Sequence, residues 1–305
     1  MNFASAWRAA SCCLFALLAA SPVAAQDATG SVGRLDGTLK KIKDSGVVVL
    51  GYRTNSPPFS SLDARGQPVG YSLDLCSALV DDVADALGVA SLRIRLQPVT
   101  PENRIERVVS GEVDIECGST TNTAARRRQV AFSPTIFITG TKLLVRRDST
   151  VRSLADLQGR SIAVTRGTTN AQVMQQLSQR RGLALTLVDG ADHDESFGLL
   201  ASGRADALAN DEVLLYGLLA RTPGRAYRVV GDFLSYEPYA LMFRADDEAF
   251  ARTVDSGLRR LAMSRELALI YDKWFLKRTP AAASLRLPMS PQLEQLFRIL
   301  GLPGE

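Results

Sequence analysis

The chain carries one histidine and four cysteines in 305 residues. Two of the cysteines, Cys12 and Cys13, sit in an apolar N-terminal stretch, which leaves Cys76 and Cys117 for the remainder. One histidine and two cysteines are too few ligands for a conventional zinc site. After the N-terminus no segment approaches twenty consecutive apolar residues, so no later bilayer-spanning helix is expected. No basic run is interleaved with aromatics, which argues against a nucleic-acid surface. The lone histidine, His193, has no evident serine or cysteine partner, so no nucleophile–base pair declares itself. No cofactor is implied by any motif.

What is present begins with Arg8, an apolar run from Ala9 to Ala20, and the small-residue stretch Ser21 to Ala25. That is the order of a secretory signal, with cleavage expected after Ala25 and a soluble, exported (periplasmic) product. Cys12 and Cys13 lie early in the run with no small-residue cleavage site before them, which argues against a lipid anchor. Processing removes Arg8 alone among the charges, so the formal charge falls from +4 to +3. A mild positive excess suits an anionic ligand without requiring one. In an oxidising compartment Cys76 and Cys117 either bridge or remain two buried thiols.

Residues 26–37 read as a polar, glycine-rich leader. A short helix at Leu39–Lys43, a buried strand at Val47–Gly51 and a loop at Asn55–Phe59 follow. Asp63–Gly66 marks a turn, Ser72–Leu87 a helix that Gly88 ends, Arg93–Pro98 a strand, Arg104–Ser110 a helix and Val113–Cys117 a strand. A second series has strands at Lys142–Val145, Ser161–Thr165, Leu185–Val188 and Ala205–Ala209. Between and after them lie helices at Leu154–Leu157, Asn170–Gln179, Ser196–Ser202 and Glu212–Leu219. Tyr239–Phe243 reads as a further strand, followed by helices at 247–262 and 264–273, with Tyr271–Phe275 as a core aromatic cluster. Alternation of this kind predicts α/β architecture with ligands at the carboxyl ends of the strands. Gly111-Glu-Val-Asp-Ile115 echoes Gly203-Arg-Ala-Asp-Ala207, as equivalent helix-to-strand turns in two similar lobes. Asp74 and Asp114 read as structural.

Two turns carry the chemistry. Glu116-Cys-Gly-Ser-Thr-Thr-Asn122 runs from a strand end into hydroxyls and is followed by the arginines Arg126 to Arg128. Backbone N–H groups, short hydroxyls and a planar guanidinium are the parts needed to hold a carboxylate. Arg166-Gly-Thr-Thr-Asn170 is a second hydroxyl turn that opens a helix. A run of arginines is usually a solvated face, and threonines at a helix start usually cap it; residue by residue, those readings stand beside the functional one.

The sequence strongly resembles the periplasmic solute-binding proteins for polar amino acids, in the glutamate/aspartate-binding branch. The resemblance rests on Gly51-Tyr-Arg53, Gly70-Tyr-Ser-Leu-Asp74, Asn103-Arg-Ile105, Glu116–Asn122, Ala131-Phe-Ser133 and Gly167-Thr-Thr169. It continues through Asp192-His193, Ser196-Phe197, Ser202-Gly-Arg-Ala205 and Tyr271-Asp-Lys-Trp-Phe275, in collinear order from about residue 37 to 278. It implies the type II periplasmic-binding-protein fold: two doubly wound α/β lobes joined by two crossover strands. The lobes would be 38–138 plus 239–279 and 139–238, with a packed or partly ordered tail at 280–305. It implies capture of an acidic amino acid by a monomer that docks on ABC permease subunits, with no catalysis. Carried over, Arg126 with Ser119 and Thr121 would hold the α-carboxylate. Asp211, helped by Thr169 beside Thr168, would meet the α-ammonium, although Asp211 equally suits a helix cap. Arg53, Arg104 and His193 would meet the side-chain carboxylate, with His193 able to change charge near neutral pH. Pro101 stands where the resembling proteins often carry serine, which bears on fine specificity rather than ligand class.

A dicarboxylic amino acid carries two anions and one cation, so its site needs separated cations and one anion, each paired on desolvation. One alternative on the same fold is an exported dehydratase acting on a carboxylated ring, with Glu116 or His193 as general acid or base. Another is the sensing module of a receptor with a separate signalling partner.

Overall fold

Apolar residues at strand and helix spacing build two five-stranded sheets, each the centre of one lobe. A computed structural model describes residues 35–222, 224, 226–277 and 285–304. The expected signal segment 1–25, most of the leader and residues 280–284 and 305 of the tail lie outside the described residues.

The first lobe opens with α1 (Gly37–Ser45) and β1 (Val47–Tyr52), whose three valines and Leu50 form a strand buried on both faces. A small three-stranded sheet follows, β2 (Asn55–Ser56), β3 (Ser60–Leu62) and β4 (Pro68–Val69). The expected loop at Asn55–Phe59 therefore contains a short strand, turned at Pro57 and Pro58. α2 (Tyr71–Leu87) ends where Gly88 takes a left-handed φ of 65° and returns its N–H to the Ala84 and Asp85 carbonyls. β5 (Arg93–Pro98), α3 (Arg104–Val109), β6 (Ile115–Glu116) and β7 (Val130–Phe132) complete this passage. β6 is shorter than expected because the Val113 N–H closes a turn onto Arg107 before the ladder starts.

β8 (Phe137–Thr139) leads into the second lobe, made of β9 (Thr141–Arg146), β10 (Ser161–Thr165), α4 (Thr169–Arg181) and β11 (Thr186–Gly190). α5 (His193–Ala201), β12 (Ala207–Asp211), α6 (Glu212–Arg221) and β13 (Tyr227–Val230) follow. α5 starts earlier than its apolar pattern, since the Asp192 side chain caps the Glu195 N–H. β14 (Glu237–Tyr239) returns beside β8 in a two-stranded antiparallel pair. The expected single strand Tyr239–Phe243 is interrupted there. Ala240 donates to the Thr120 carbonyl and Leu241 to the Ser133 hydroxyl before β15 (Met242–Arg244) joins the first sheet.

The sheet orders are β5-β1-β6-β15-β7 and β11-β10-β12-β9-β13. In each, four strands run one way and one, β15 or β9, runs against both of its neighbours; the second, first and third strands of the mutually parallel set lie side by side in that order. The two echoed aspartates occupy equivalent places. Asp114 accepts from the Val49 N–H at 2.8 Å, and Asp206 accepts from the Ser161 N–H at 2.9 Å. Each therefore ties the turn before the third strand to the first strand of its sheet.

α7 (Glu248–Met263), α8 (Glu266–Tyr271) and α9 (Pro291–Leu300) cover the first lobe. Phe59, Tyr71, Phe137, Tyr239, Tyr271 and Phe275 pack their rings together in its core, as the aromatic cluster led one to expect. Asp74 is structural: the Trp274 indole N–H and Lys273 both bind it at 2.6 Å. In the tail, α9 buries Leu293, Phe297 and Leu300 in the same core, the packed arrangement of the two expected for it. Cys76 and Cys117 form a disulfide between α2 and the end of β6, with Cα atoms 6.2 Å apart. Among the described residues no helix is long and apolar enough to cross a membrane.

Candidate functional site

The carboxyl ends of the parallel strands in the two sheets face one cleft, where the strand order reverses in each sheet. All nine residues singled out from the sequence line it, together with Asn170 and Leu214. The first lobe contributes Arg53 just past β1, Arg104 at the start of α3, Ser119 and Thr121 in the turn after β6, and Arg126. The second contributes Thr168 and Thr169 at the start of α4, His193 at the start of α5, and Asp211 at the end of β12. The lobes meet closely enough to leave only about 10 Å³ for the centre of a water molecule.

Three guanidinium groups converge here, and all are buried: Arg53 and Arg104 are each 2 % exposed and Arg126 8 %. Arg127 and Arg128 beside them are exposed, so only one of the arginine run turns inward. None of the three buried arginines makes an ion pair among the described residues. Arg126 donates to the Thr121 carbonyl at 2.8 Å and across the cleft to the Gly167 carbonyl at 3.3 Å. Arg104 donates to the Pro101 carbonyl at 2.5 Å and to the same Gly167 oxygen at 3.2 Å. Arg53 leaves Nη2 without a hydrogen-bond partner, and Arg104 leaves Nε.

Burial shapes the charges. It pushes Arg53 down to about 10, against the opposing pull of Glu116. Burial, then the neighbouring Arg126 and Arg53, push Arg104 well below its ordinary range. An anion entering this cluster offsets the desolvation cost and the mutual repulsion by its own attraction to the guanidinium groups. Gly118 is required by packing: a Cβ there would lie 2.2 Å from Glu116 Oε1 and 2.8 Å from Arg53 Cγ.

His193 differs from its expected role as a switchable cation. Burial, with Arg53 and Arg104 nearby, holds its pKa well below 6.5, so the ring is neutral at physiological pH. The Asn210 amide nitrogen lies 3.2 Å from Nδ1, and an amide NH₂ only donates, which puts the ring proton on Nε2. The ring therefore offers an N–H donor rather than a charge.

On the anionic side Asp211 accepts from Asn170 at 2.7 Å and from the Tyr239 hydroxyl. Its carboxylate makes no cap bond to α6, so the capping alternative does not hold. Burial, with Glu237 adjacent, pushes its pKa up to about 7. Thr168 does cap α4, accepting from the Ala171 N–H at 3.3 Å. Thr169 donates to Glu237 at 2.7 Å and lies 3.4 Å from the Thr121 hydroxyl of the other lobe.

Glu237, Tyr239 and Asn170 escaped the reading of the sequence. Asn170 was within the quoted hydroxyl turn and could have been taken as a side-chain donor. Glu237 and Tyr239 flank a proline in the return strand and carry no local signal. The pairing of β14 with β8 places them behind the cleft, against Thr169 and Asp211. Among the described residues no group of histidine, cysteine, aspartate and glutamate is placed to hold a metal ion.

The family profile described as bacterial extracellular solute-binding proteins, family 3, matches residues 48–277. The L-glutamate/L-aspartate-binding protein of Pseudomonas aeruginosa is 39 % identical over 287 residues, covering 93 % of each chain. The glutamate/aspartate import solute-binding protein of Escherichia coli is 36 % identical, covering 92 % of this chain and 93 % of its own. Among solved structures, a mutant of ArgBP from T. maritima superposes with a TM-score of 0.70 at 26 % identity, over 78 % of this chain and 99 % of its own. The ancestral amino acid-binding protein AncCDT-1, a precursor of cyclohexadienyl dehydratase, superposes with a TM-score of 0.67 at 27 % identity, over 78 % and 99 %. The profile spans most of the chain, the relatives span nearly all of it, and the two-lobed fold agrees: the chain belongs to the bacterial extracellular solute-binding proteins of family 3.

Proposed function

We propose that this chain captures L-glutamate or L-aspartate in the periplasm, after loss of its signal segment, and delivers it as a monomer to ABC permease subunits. The observation that carries the reading is the cluster of three buried arginines, without ion pairs among the described residues, opposed across the cleft by Asp211, the one carboxylate among the described residues that line it. That is the charge inventory of an amino acid with two carboxylates and one ammonium. The names of the relatives in Pseudomonas aeruginosa and Escherichia coli support the same ligand class.

In this reading Arg126, Ser119 and Thr121 hold the α-carboxylate, and Asp211 with Thr169 receives the ammonium, with Glu237 close behind. Arg53 and Arg104 hold the side-chain carboxylate, and His193 adds a neutral Nε2–H donor. Thr168 fixes the start of α4, whose N-terminal dipole favours negative charge nearby. Lobe 1 comprises 38–138 plus 239–279 and lobe 2 comprises 139–238, with the hinge in the β8–β14 pair. Because groups from both lobes touch one ligand, binding favours the closed arrangement over an open one.

The dehydratase alternative draws on the AncCDT-1 likeness. It has less support, since Glu116 is fully buried against Gly118 and is not among the cleft-lining residues. Small-angle scattering of the processed protein tests the capture mechanism: L-glutamate should reduce the radius of gyration, and L-lysine should not. An unchanged radius with L-glutamate at saturation would rule out hinge closure.

A further inference from the structure

We infer that Gly217 is a positioning residue for ligand capture: its missing side chain lets helix α6 of the second lobe seat against the Pro57 carbonyl of the first. The inference rests on the hinge-closing capture proposed above and names a residue that the site itself does not contain. Gly217 lies in the interior of α6 and is buried. Glycine inside a helix is unfavourable relative to alanine, so its presence there asks for a steric reason. The reason is across the lobe boundary. A Cβ on Gly217 would lie 2.3 Å from the Pro57 oxygen, 2.8 Å from its carbonyl carbon and 3.4 Å from its Cγ.

Those are mostly backbone atoms, and the turn that carries them is pinned. Phe59 donates to the Ser56 carbonyl at 2.9 Å, and Tyr71 donates to the Pro58 carbonyl at 2.8 Å. Ser56 pairs with Ser60 in the β2–β3 ladder. The Ser60 hydroxyl in turn accepts from the Arg53 N–H at 2.8 Å and donates to the Arg53 carbonyl at 3.2 Å. A methyl group at 217 therefore cannot be absorbed by a side-chain rotation. Either the lobes stop short of closure or the turn that frames Arg53 shifts.

The rest of the helix face agrees. Val213 and Leu214, one turn earlier on the same side as Gly217, are buried among the first lobe's core residues. Gly198 in α5 of the same lobe supplies the contrast, since a Cβ there would meet nothing within 4 Å. A second seam has the same composition: a Cβ on Gly167 would lie 2.7 Å from the Pro101 oxygen. Gly167 has a φ of +72°, where any side chain is strained, so Gly217 with its ordinary helical backbone is the cleaner probe.

The test compares the processed wild type with Gly217→Ala and Gly198→Ala. Each is measured for its ligand-free thermal midpoint, calorimetric titration with L-glutamate, and scattering with and without L-glutamate. Both variants should keep or raise the ligand-free midpoint, because alanine is the better helix former. Gly217→Ala should weaken L-glutamate binding about tenfold or more and reduce the ligand-induced compaction. Gly198→Ala should bind within about twofold of wild type. Wild-type affinity and full compaction in Gly217→Ala would overturn the inference. So would a lowered ligand-free midpoint that accounts for the lost affinity, the mark of a packing defect. A wild type that ignores L-glutamate overturns the function proposed above instead; the same pair is then judged by the same tenfold criterion with L-glutamine and L-arginine.

Discussion

Replacing Asp211 by asparagine should stabilise the ligand-free protein at alkaline pH and abolish its function. Burial and the nearby Glu237 raise the Asp211 carboxyl from 3.8 to about 7. A raised carboxyl means that the folded state holds the proton more tightly than the unfolded chain, so Asp211 costs stability as pH climbs from about 4 to about 7. At about 1.4 kcal/mol per pH unit, the full cost above that window is about 4 kcal/mol. Asparagine removes the charge while keeping the shape. Its oxygen can accept from Asn170 and its NH₂ can donate to the Tyr239 hydroxyl, both present partners of Asp211. Weaker neutral hydrogen bonds return about 1 kcal/mol of the gain. The expected net is about 3 kcal/mol at pH 8, on the order of 10 °C in Tm for a chain of this size. At pH 4 the advantage should vanish, because Asp211 is then protonated in the folded protein. Thermal unfolding of ligand-free wild type and Asp211→Asn at both pH values reads this directly. Meanwhile amino-acid affinity should fall about a hundredfold or more, since the ammonium loses its buried counter-charge. Equal stabilities at pH 8, or a gain of the same size at pH 4, would refute the electrostatic reasoning. Retained affinity would remove Asp211 from the ammonium site.

Three further outcomes follow from the same structure. Arg53→Ala should cost about a hundredfold or more in L-glutamate affinity and leave L-glutamine within about threefold, as judged by titration; equal losses would break the side-chain assignment. Replacing Cys76 and Cys117 with serine opens a loop spanning 41 residues and should lower unfolding free energy by about 4 kcal/mol in denaturant melts; an unchanged midpoint would show that the bridge contributes nothing. Phe297→Ala, in the buried face of α9, should cost about 3–5 kcal/mol, whereas a loss under about 1 kcal/mol would show that α9 adds little to the core.

The two-sheet architecture could be read from the chain because its signals are local. β-branched runs such as Val47–Leu50 need two buried faces, Gly88 supplies a left-handed helix end, and Asp114 and Asp206 mark equivalent turns. The nine lining residues were accessible through the family resemblance, whose short motifs place them at strand ends and helix starts; taken alone, the arginine run and the threonine pair read equally as a solvated face and a helix cap. What escaped depends on distance along the chain. Glu237 is bound by Thr169, 68 residues away, and nothing in Tyr236-Glu-Pro-Tyr239 separates it from a surface glutamate. His193 was read as a switchable cation because a sequence shows an imidazole but not its burial or the two arginines beside it. The spacing of Cys76 and Cys117 left both a bridge and free thiols open; their placement on α2 and after β6 decides it. Gly217 carries no signal in the sequence beyond a glycine inside the helix expected at Glu212–Leu219, and only the approach of Pro57 gives it a purpose.

The central claim is that the buried arginines select an amino acid with two carboxylates. Calorimetric titration of the processed, ligand-stripped protein with L-glutamate, L-aspartate, L-glutamine, L-asparagine and L-arginine tests it most directly. Tight binding confined to the two acidic amino acids is the result predicted here. Preference for a neutral or basic amino acid would leave the fold in place and contradict the assignment of Arg53 and Arg104.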